Sequence, residues 1–363
     1  MLEMLNDLYT TAQLYGRLLR DIIISLIFIW TGALLPKLHV PDRSLDGKTA
    51  IVTGANSGIG YQISLDLAKR GATVYLACRN ASKGQEAADV INQQVKRSAT
   101  GDVKGVRAHV AQLDTSSIDS VRKFTKTWAK DQKGRSIDIL VHNAGISSAP
   151  EGGDVTEEGL GMIYATNFLG SFALTALLEP KLASGARVVF TSAVGQYAGT
   201  LNGILTSPCG VPKDGLLDKL LVRKMPDSQH YSNTKLMQVA FARTLQRRWN
   251  QKPFASKALT AHAFMPGYVF TPIFSKTASL PIYVDPVWWF LKALTFLSIS
   301  VEQGAATGVW LSTTSDLEVR RHGGSYWDRM TRRMTPVDVM DSGVLERLWQ
   351  CWERDAGVEW KAA

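Results

Sequence analysis

Short β-branched runs alternate with longer amphipathic segments from Lys48 onward, and this alternation limits the possible folds more than any other feature of the chain. The runs that predict strands lie in TAIVTG, ATVYLAC, VRAHVAQLD, IDILVHNAG, ARVVFTSAVG, ALTAHAFMPG and GGSYW. Strands connected by helices form a parallel sheet that helices cover on both faces. We therefore predict an α/β, doubly wound fold with a seven-stranded, mostly parallel sheet over residues 46–330.

A glycine-rich turn follows the first predicted strand. In TGANSGIG, residues 53–60, the glycines come directly before a predicted helix. Such a turn lets the backbone approach a pyrophosphate, which the first N–H groups of the helix then bind. A purely structural turn is the alternative, but the strand–turn–helix context favours a nucleotide. The residues expected at this site are Gly54, Ser57, Gly58, Ile59 and Gly60.

The second predicted strand ends in ACRN, which puts Arg79 where chains that bind unphosphorylated NAD(H) usually have an acid. Arg79, with Lys83 one helical turn further on, suits the 2′-phosphate of NADP(H). A solvated arginine at a strand end is the alternative. We expect NADP(H) as the cofactor.

A tyrosine and a lysine four residues apart, Tyr231 and Lys235 in YSNTK, lie on one face of a predicted helix. A phenol has an ordinary pKa of about 10, too high for a base at neutral pH, and a nearby ammonium lowers that pKa. Alone the pair is a weak signal, since a phenol in a packed core has the same spacing. Five further motifs accompany it in order: LD at 113–114, HNAG at 142–145, TNFLG at 166–170, TSA at 191–193 and PG at 266–267.

With these motifs and the wording GANSGIG…ACRN, the chain resembles the short-chain dehydrogenase/reductase family over residues 46–330. It is most similar to the retinol-dehydrogenase-like and WW-domain-oxidoreductase-like branch. The resemblance implies a Rossmann fold and a catalytic set, which is Ser192, Tyr231, Lys235 and Asn167. The serine would donate a hydrogen bond to the developing alkoxide, and the asparagine would support a proton-relay water.

Further cofactor contacts are implied only by the resemblance, and Tyr231 and Lys235 would join them. The adenine amino group would be bound by Asp114. The adenosine ribose would be lined by Asn143, Ala144 and Gly145. The nicotinamide carboxamide would be held by the backbone near Pro266, Gly267 and Val269.

Together these residues predict an NADP(H)-dependent oxidoreductase that interconverts an alcohol and a ketone or aldehyde on a lipophilic substrate. Retinoids, sterols, fatty-acyl compounds and polyketide- or terpene-derived metabolites remain open as substrate classes. A non-catalytic NADP(H) sensor or scaffold is one alternative, and an epimerase or dehydratase of the extended branch is the other. That branch has Gly-x-x-Gly-x-x-Gly in its first turn, whereas three residues separate Gly54 from Gly58 here.

The N-terminal segment, residues 1–40, departs from a plain soluble enzyme. Its uncharged run, residues 22–35, has fourteen residues and rises about 21 Å as a helix, short of a bilayer core of about 30 Å. We predict a hydrophobic anchor helix that lies in or dips into the bilayer. The protein would then be membrane-associated, at the endoplasmic reticulum or a lipid droplet. A signal peptide and a helix packed on the domain surface are the alternatives.

Three other segments fall outside the strand–helix alternation. Residues 196–230 are rich in Gly, Pro and Asp, and they predict an insertion that forms one wall of the substrate pocket. Residues 284–301 are apolar on nearly every face and predict a helix that covers this pocket. Residues 331–363 predict a helical C-terminal tail.

The net charge is +9, but the basic residues are scattered and form no stripe interleaved with aromatics, so we expect no nucleic-acid partner. Cys78, Cys209 and Cys351 are too few and too far apart for a disulfide framework or a zinc site. We therefore expect no metal, and a reducing compartment such as the cytosol for the catalytic domain. The resemblance allows a homodimer.

Overall fold

The computed structural model describes residues 2–98, 105–131, 135–201, 227–251, 254–269 and 298–360. Within them, eight strands form one sheet in the order β3-β2-β1-β4-β5-β6-β7-β8. The strands are β1 (Thr49–Thr53), β2 (Thr73–Cys78), β3 (Ala108–Gln112), β4 (Ile137–His142), β5 (Leu182–Thr191), β6 (Thr260–Met265), β7 (Tyr326–Asp328) and β8 (Thr331–Arg333). Strands β1 to β7 pair in parallel, which confirms the seven predicted strands, and β8 pairs antiparallel with β7.

Helices cover both faces of this sheet. They are α1 (Leu2–Thr31), α2 (Gly58–Lys69), α3 (Ala81–Ser98), α4 (Ile118–Asp131), α5 (Met162–Tyr164), α6 (Gly170–Leu178), α7 (Asp227–Trp249), α8 (Val301–Thr313), α9 (Leu317–Arg321) and α10 (Ser342–Ala356). Apolar side chains of α2, α3 and α8 form one buried cluster, and those of α4, α6, α7 and α10 form a second. The two clusters lie on opposite faces of the sheet, as the predicted doubly wound fold requires.

The strand order reverses between β1 and β4, because the chain passes from β3 at one edge back to the other side of β1. In an open α/β sheet, ligands bind at the carboxyl ends of the strands beside such a reversal. The segments that leave β1, β4, β5 and β6 at this edge begin at Gly54, Asn143, Ser192 and Pro266. The topology therefore gathers four of the sequence motifs at one end of the sheet.

One helical stretch among the described residues, Met162–Lys181, is long and apolar enough to cross a membrane. However, 78% of its apolar window is buried inside the fold. Its Phe168 and Phe172 contact Phe241 of α7 and Trp352 of α10. The apolarity of this stretch therefore serves the core.

Helix α1 lies on the catalytic domain through one of its faces. Leu18, Asp21 and Ser25 are buried on that face at helical spacing. The Asp21 carboxylate accepts a hydrogen bond from Met334 N at 2.9 Å, and the Ser25 hydroxyl donates to Asp328 Oδ2 at 3.1 Å. The alternative of a helix packed on the domain surface is thus correct for this face. The opposite face is exposed and apolar, with Leu19, Ile23, Leu26, Ile27 and Trp30.

The predicted helical tail, residues 331–363, begins with a strand instead, because Thr331–Arg333 forms β8. A two-residue turn joins β7 to β8, and both of its residues, Arg329 and Met330, have positive φ, 49° and 59°. The tail becomes α-helical only at Ser342, where the Asp341 side chain caps α10. The sheet therefore has one strand more than the sequence predicted.

Most of the predicted insertion, as residues 202–226, and most of the predicted apolar helix, as residues 284–297, lie outside the described residues. The flanks of the insertion are regular: Val194–Ala198 is a 3-10 helix, and residues 227–230 already belong to α7. Of the apolar segment, residues 298–300 are described and are not helical. Ile299 pairs with Val269 there as an isolated β-bridge.

Candidate active site

The glycine turn after β1 has no room for side chains. Gly54 has φ 63°, and a Cβ atom there would lie 2.8 Å from Ala144 Cα. A Cβ atom on Gly60 would lie 2.5 Å from Gly54 O. The Ser57 hydroxyl makes no capping bond to α2, so the first N–H groups of this helix face the turn without that partner. An anion such as a pyrophosphate fits this arrangement.

A hydrogen-bonded clamp joins the end of β4 to the glycine turn. Thr53 Oγ1 accepts from the main-chain nitrogens of Asn143, at 2.9 Å, and Ala144, at 3.0 Å. The Asn143 side-chain amide donates to the carbonyls of Thr53 and Gly54, both at 3.3 Å. The predicted ribose-lining segment is therefore fixed against the predicted phosphate-binding turn.

The basic pair that predicts NADP(H) lies at the same edge of the sheet. Arg79 directly follows β2, and both Arg79 and Lys83 are exposed. Asn80 Oδ1 accepts from Lys83 N at 2.9 Å, which caps the first turn of α3. The two cations thus lie on a structured turn, free to meet a ligand phosphate from solvent.

Asp114 follows β3 and is half-buried. Its Oδ1 accepts from the main-chain nitrogen of Ser116 at 2.9 Å and from the Ser116 hydroxyl at 2.6 Å. Its own main-chain nitrogen donates to Ser120 Oγ at 3.0 Å. These bonds fix the carboxylate and leave Oδ2 as the oxygen that would meet an adenine amino group.

Ser192 lies one residue beyond β5 and is buried. Its hydroxyl donates to the Lys235 main-chain carbonyl at 2.9 Å. Lys235 Nζ donates to the Thr191 carbonyl at 2.8 Å and lies 5.3 Å from the centre of the Tyr231 ring. The predicted serine, tyrosine and lysine are therefore brought together where β5 ends against the first turns of α7.

Burial opposes charge on both members of the tyrosine–lysine pair. It raises the pKa of Tyr231 to about 12 and lowers the pKa of Lys235 to about 7. Each shift follows from the loss of water around the ionised form. Neutral pH is consequently close to the titration of the lysine and far below that of the phenol.

Asn167 lies in a π-helical turn, Ala165–Leu169, between α5 and α6. Its side chain accepts from Ile146 N at 2.7 Å and donates to Ile146 O at 2.9 Å and Thr234 Oγ1 at 3.2 Å. A Cβ atom added to Gly145 would lie 3.3 Å from Asn167 Oδ1 and 3.8 Å from Lys235 Nζ. Asn167 therefore ties the loop after β4 to α7, the helix that carries Tyr231 and Lys235. Such π-helical turns occur often at functional sites.

The segment after β6 closes the site from the far side. Gly267 has φ 81°, and a Cβ atom there would lie 2.9 Å from Ile299 Cδ1. Ile299 N donates to Tyr268 O at 2.9 Å, and Val269 is buried. Pro266 and Gly267 line a small cavity together with Phe28 of α1. The N-terminal helix thus reaches the predicted carboxamide-binding segment.

Sequence reasoning missed two residues of this site. Thr53 is the hydrogen-bond acceptor that holds Asn143 and Ala144, and its position at the end of a strand before the glycine turn was the available signal. Gln238 is buried three residues after Lys235, and it donates to the Asn167 carbonyl at 2.8 Å. The spacing of Gln238 places it on the same helix face as Tyr231 and Lys235.

Comparisons with known proteins agree with this geometry. A family model described as short chain dehydrogenase matches residues 48–204. Dehydrogenase/reductase SDR family member 13 of Bos taurus is 32% identical over 318 residues, which cover 87% of this chain and 74% of that protein. Retinol dehydrogenase 13 of Homo sapiens is 30% identical over 346 residues, which cover 92% and 90%. The structure of L-sorbose reductase from Gluconobacter frateurii, complexed with NADPH and L-sorbose, shares the fold with a TM-score of 0.58 and 20% identity over 79% of this chain and 97% of that one.

A Rossmann sheet with a glycine turn and a serine–tyrosine–lysine cluster at its carboxyl edge defines a nicotinamide-dependent oxidoreductase. The chain belongs to the short-chain dehydrogenase/reductase family. The prediction of this family and of its retinol-dehydrogenase-like branch is confirmed.

Proposed function

We propose that the chain is an NADP(H)-dependent oxidoreductase that interconverts an alcohol and a ketone or aldehyde on a lipophilic substrate. The observation that carries the proposal is the meeting of Ser192, Tyr231 and Lys235 beside the glycine turn. Lys235 Nζ lies 5.3 Å from the Tyr231 ring and close to Gly145 at the end of β4. One substrate carbon can therefore approach the phenol and a cofactor held at the sheet edge together.

The described residues fit a dinucleotide. Gly54 and Gly60 leave space that a Cβ atom would fill, and the start of α2 faces that space. Asp114 is held by two hydrogen bonds from Ser116 and could accept a hydrogen bond from the adenine amino group. When bound, the nicotinamide supplies the hydride donor or acceptor. The remaining task of the protein is to orient the carbonyl and to manage one proton.

The residues of this chain divide that task. The Ser192 hydroxyl can turn from the Lys235 carbonyl to the substrate oxygen, where it donates a hydrogen bond to developing negative charge. Tyr231 gives or takes the proton of the same oxygen, and the Lys235 ammonium stabilises the phenolate. Asn167 fixes the loop that carries Gly145 and so holds the cofactor edge against the catalytic helix.

The preference for NADP(H) rests on Arg79 and Lys83. A guanidinium at the end of β2 pairs with a 2′-phosphate, whereas no acid stands there to hold a free ribose hydroxyl. Both cations are exposed and lie on the capped first turn of α3. We expect the dissociation constant for NADPH to be lower than that for NADH. The difference between the two should shrink at high salt.

The proposal of a lipophilic substrate and a membrane partner rests on α1. Its outer face presents an apolar stripe that includes Trp30 at 48% exposure, and Leu34, at 78%, follows in the 3-10 helix Gly32–Leu34. Arg20 precedes and Lys37 follows the uncharged run of residues 22–35 in the sequence. An in-plane helix with such a stripe inserts into the headgroup region of one leaflet. The relatives named retinol dehydrogenase support a lipophilic substrate of the same kind.

Because α1 lies on the domain and also lines the cavity beside Pro266 and Gly267, its insertion would turn the active site toward the lipid. The buried Asp21 and Ser25 on its inner face are bonded to Met334 and Asp328, which is incompatible with a helix surrounded by lipid. We therefore propose interfacial attachment to one leaflet in preference to a bilayer span.

The central test replaces Tyr231 by Phe. The full-length protein and the variant are assayed by nicotinamide absorbance with NADPH and a panel of lipophilic ketones and aldehydes. We expect turnover by the protein and a loss of at least about 100-fold in the variant, the usual contribution of a positioned acid. NADPH affinity should change far less than turnover, because the glycine turn, Arg79 and Lys83 would still hold the dinucleotide.

Turnover retained by Tyr231→Phe would refute the assignment of the catalytic tyrosine. NADPH binding without turnover of any substrate by the unaltered chain would favour a sensor or scaffold. Product formation without net change in nicotinamide absorbance would favour an epimerase or dehydratase.

A further inference from the structure

A glutamine links the two halves of the candidate active site. Gln238 is 1% exposed and lies one turn after Lys235 on α7. Its Nε2 donates to the main-chain carbonyl of Asn167 at 2.8 Å, and its Oε1 accepts from Lys235 Nζ at 3.4 Å. A single side chain therefore connects the π-helical turn with the catalytic lysine.

The two groups that Gln238 joins have opposite needs. The Asn167 carbonyl, located in the π-helical turn, needs a donor, and the Lys235 ammonium needs an acceptor. A carboxamide carries a donor and an acceptor on one rigid plane. Glutamate would place an anion against the carbonyl oxygen, and a methionine of similar size would remove the hydrogen bond that Gln238 makes with each partner.

The family resemblance implies a proton-relay water supported by Asn167. Such a water would donate to an asparagine oxygen and accept from the lysine, the same two bonds that Gln238 makes. The side chain occupies one of the two lone pairs of the Asn167 carbonyl. Gln238 therefore links the lysine to the Asn167 carbonyl directly, without a water between them.

We propose that Gln238 is a positioning residue for Lys235, which holds the ammonium against Tyr231 by a direct bridge to the main-chain carbonyl of Asn167. The inference rests on the proposed function for its kinetic consequences. Its geometry rests only on the contacts of α7, β5 and the π-helical turn.

The surroundings of Lys235 explain why one acceptor matters. Around Nζ lie Tyr231 and Gln238 on α7, the Thr191 carbonyl at the end of β5, and Gly145 with Asn167 on the opposite side. None of these is a carboxylate or a second cation. Burial lowers the pKa of Lys235 to about 7, so the ammonium is only partly populated at neutral pH. Loss of an acceptor would shift this balance further toward the neutral amine.

The test compares Gln238→Met and Gln238→Ala in the full-length protein. Methionine fills the space and removes both hydrogen bonds. We expect kcat/KM for alcohol oxidation to fall about 10- to 100-fold, the factor for one hydrogen bond to a charged group. The rising limb of the pH–rate profile should move to higher pH, because the phenol then has less ammonium beside it. Alanine leaves room for a water to make both bonds, so Gln238→Ala should lose less than Gln238→Met.

Gln246→Met is the matched control. Gln246 lies two turns further along α7, is also buried, and bonds Leu259 O at 3.0 Å and Ala261 N at 2.9 Å. Its replacement should lower the melting temperature and leave the pH–rate profile in place. An unmoved profile in Gln238→Met, or an equal movement in Gln246→Met, would overturn the positioning role.

A second readout does not need turnover. The titration of Lys235 can be followed by carbon-13 NMR of the lysine side chains, with the resonance assigned by Lys235→Met. Gln238→Met should lower the pKa of Lys235, and Gln246→Met should not change it. If the chain turns over no substrate, the proposed function fails while this titration still decides the role of Gln238. A pKa that is the same in Gln238→Met and the unaltered chain would refute the bridge.

Discussion

The substitution Asp21→Leu distinguishes two arrangements of α1, one in which the helix lies on the domain and one in which it spans a bilayer. In a span, removal of a charge from the apolar stretch favours insertion by about 3 kcal/mol. In the docked helix, Asp21 is 2% exposed, accepts from Met334 N at 2.9 Å and lies 3.8 Å from Arg333. Leucine would remove this acceptor from both half-buried partners, the Met334 main-chain nitrogen and the Arg333 guanidinium. Loss of a hydrogen bond to a charged group and of a buried pair costs about 2–4 kcal/mol.

The assay is thermal unfolding of the detergent-solubilised protein, together with the rate at which a protease cuts residues 20–40. We expect Tm to fall by about 5 °C and cleavage to accelerate, because α1 leaves the β7–β8 hairpin more often. Ile23→Ser is the control on the exposed face: it should weaken vesicle binding and leave Tm in place. An Asp21→Leu variant as stable and as protease-resistant as the parent would refute the docked arrangement.

Two further predictions follow from close packing and from a buried acid. Gly60→Ala should weaken NADPH binding at least about 10-fold, because the added Cβ atom would clash with the Asn143 side chain and the Gly54 carbonyl. Calorimetry measures the affinity. Gly16→Ala is the control, because the added atom there has no neighbour within 4 Å. Burial raises the pKa of Asp328 to about 6. The folded state therefore keeps a proton that the unfolded chain releases, and stability falls as pH rises from about 4 to about 6. Asp328→Asn should abolish that fall and raise the free energy of unfolding at neutral pH by about 2–3 kcal/mol in urea titrations; a parent that gains stability over this range relative to the variant would contradict the reasoning.

The sequence predicted the sheet well because its parallel strands are buried on both faces and therefore read as short apolar runs. It could not predict β8. The turn before β8 uses Arg329 and Met330 at positive φ, where glycine or asparagine is usual, so no turn signal was present. Phe28 of α1 contacts Arg329 and Arg333 of this hairpin through its ring. These contacts join residues about 300 positions apart in the sequence.

The candidate site was predictable to a similar extent. Motifs on consecutive strand ends fixed which side chains would meet, and the structure brings Ser192, Tyr231 and Lys235 together. The partners of those side chains were not predictable. Gln238 is distinguished from an ordinary core glutamine by its hydrogen bond to the Asn167 carbonyl. Thr53 is distinguished by the hydrogen bonds that it accepts from the main-chain nitrogens of Asn143 and Ala144, just after β4.

The pKa of Tyr231 is raised and the pKa of Lys235 is lowered. These two shifts bear on when the phenol can act as a base. Burial disfavours the phenolate and the ammonium alike, so the protein alone favours the neutral pair near pH 7. A phenolate beside an ammonium offsets part of that cost by direct attraction, and any further positive charge next to the phenol lowers its pKa again. An oxidised nicotinamide ring carries such a charge. We therefore expect the base to form only in the cofactor complex, which makes cofactor binding before alcohol the productive order. Equal initial rates from either order of mixing, at saturating concentrations and before the first turnover ends, would contradict this coupling.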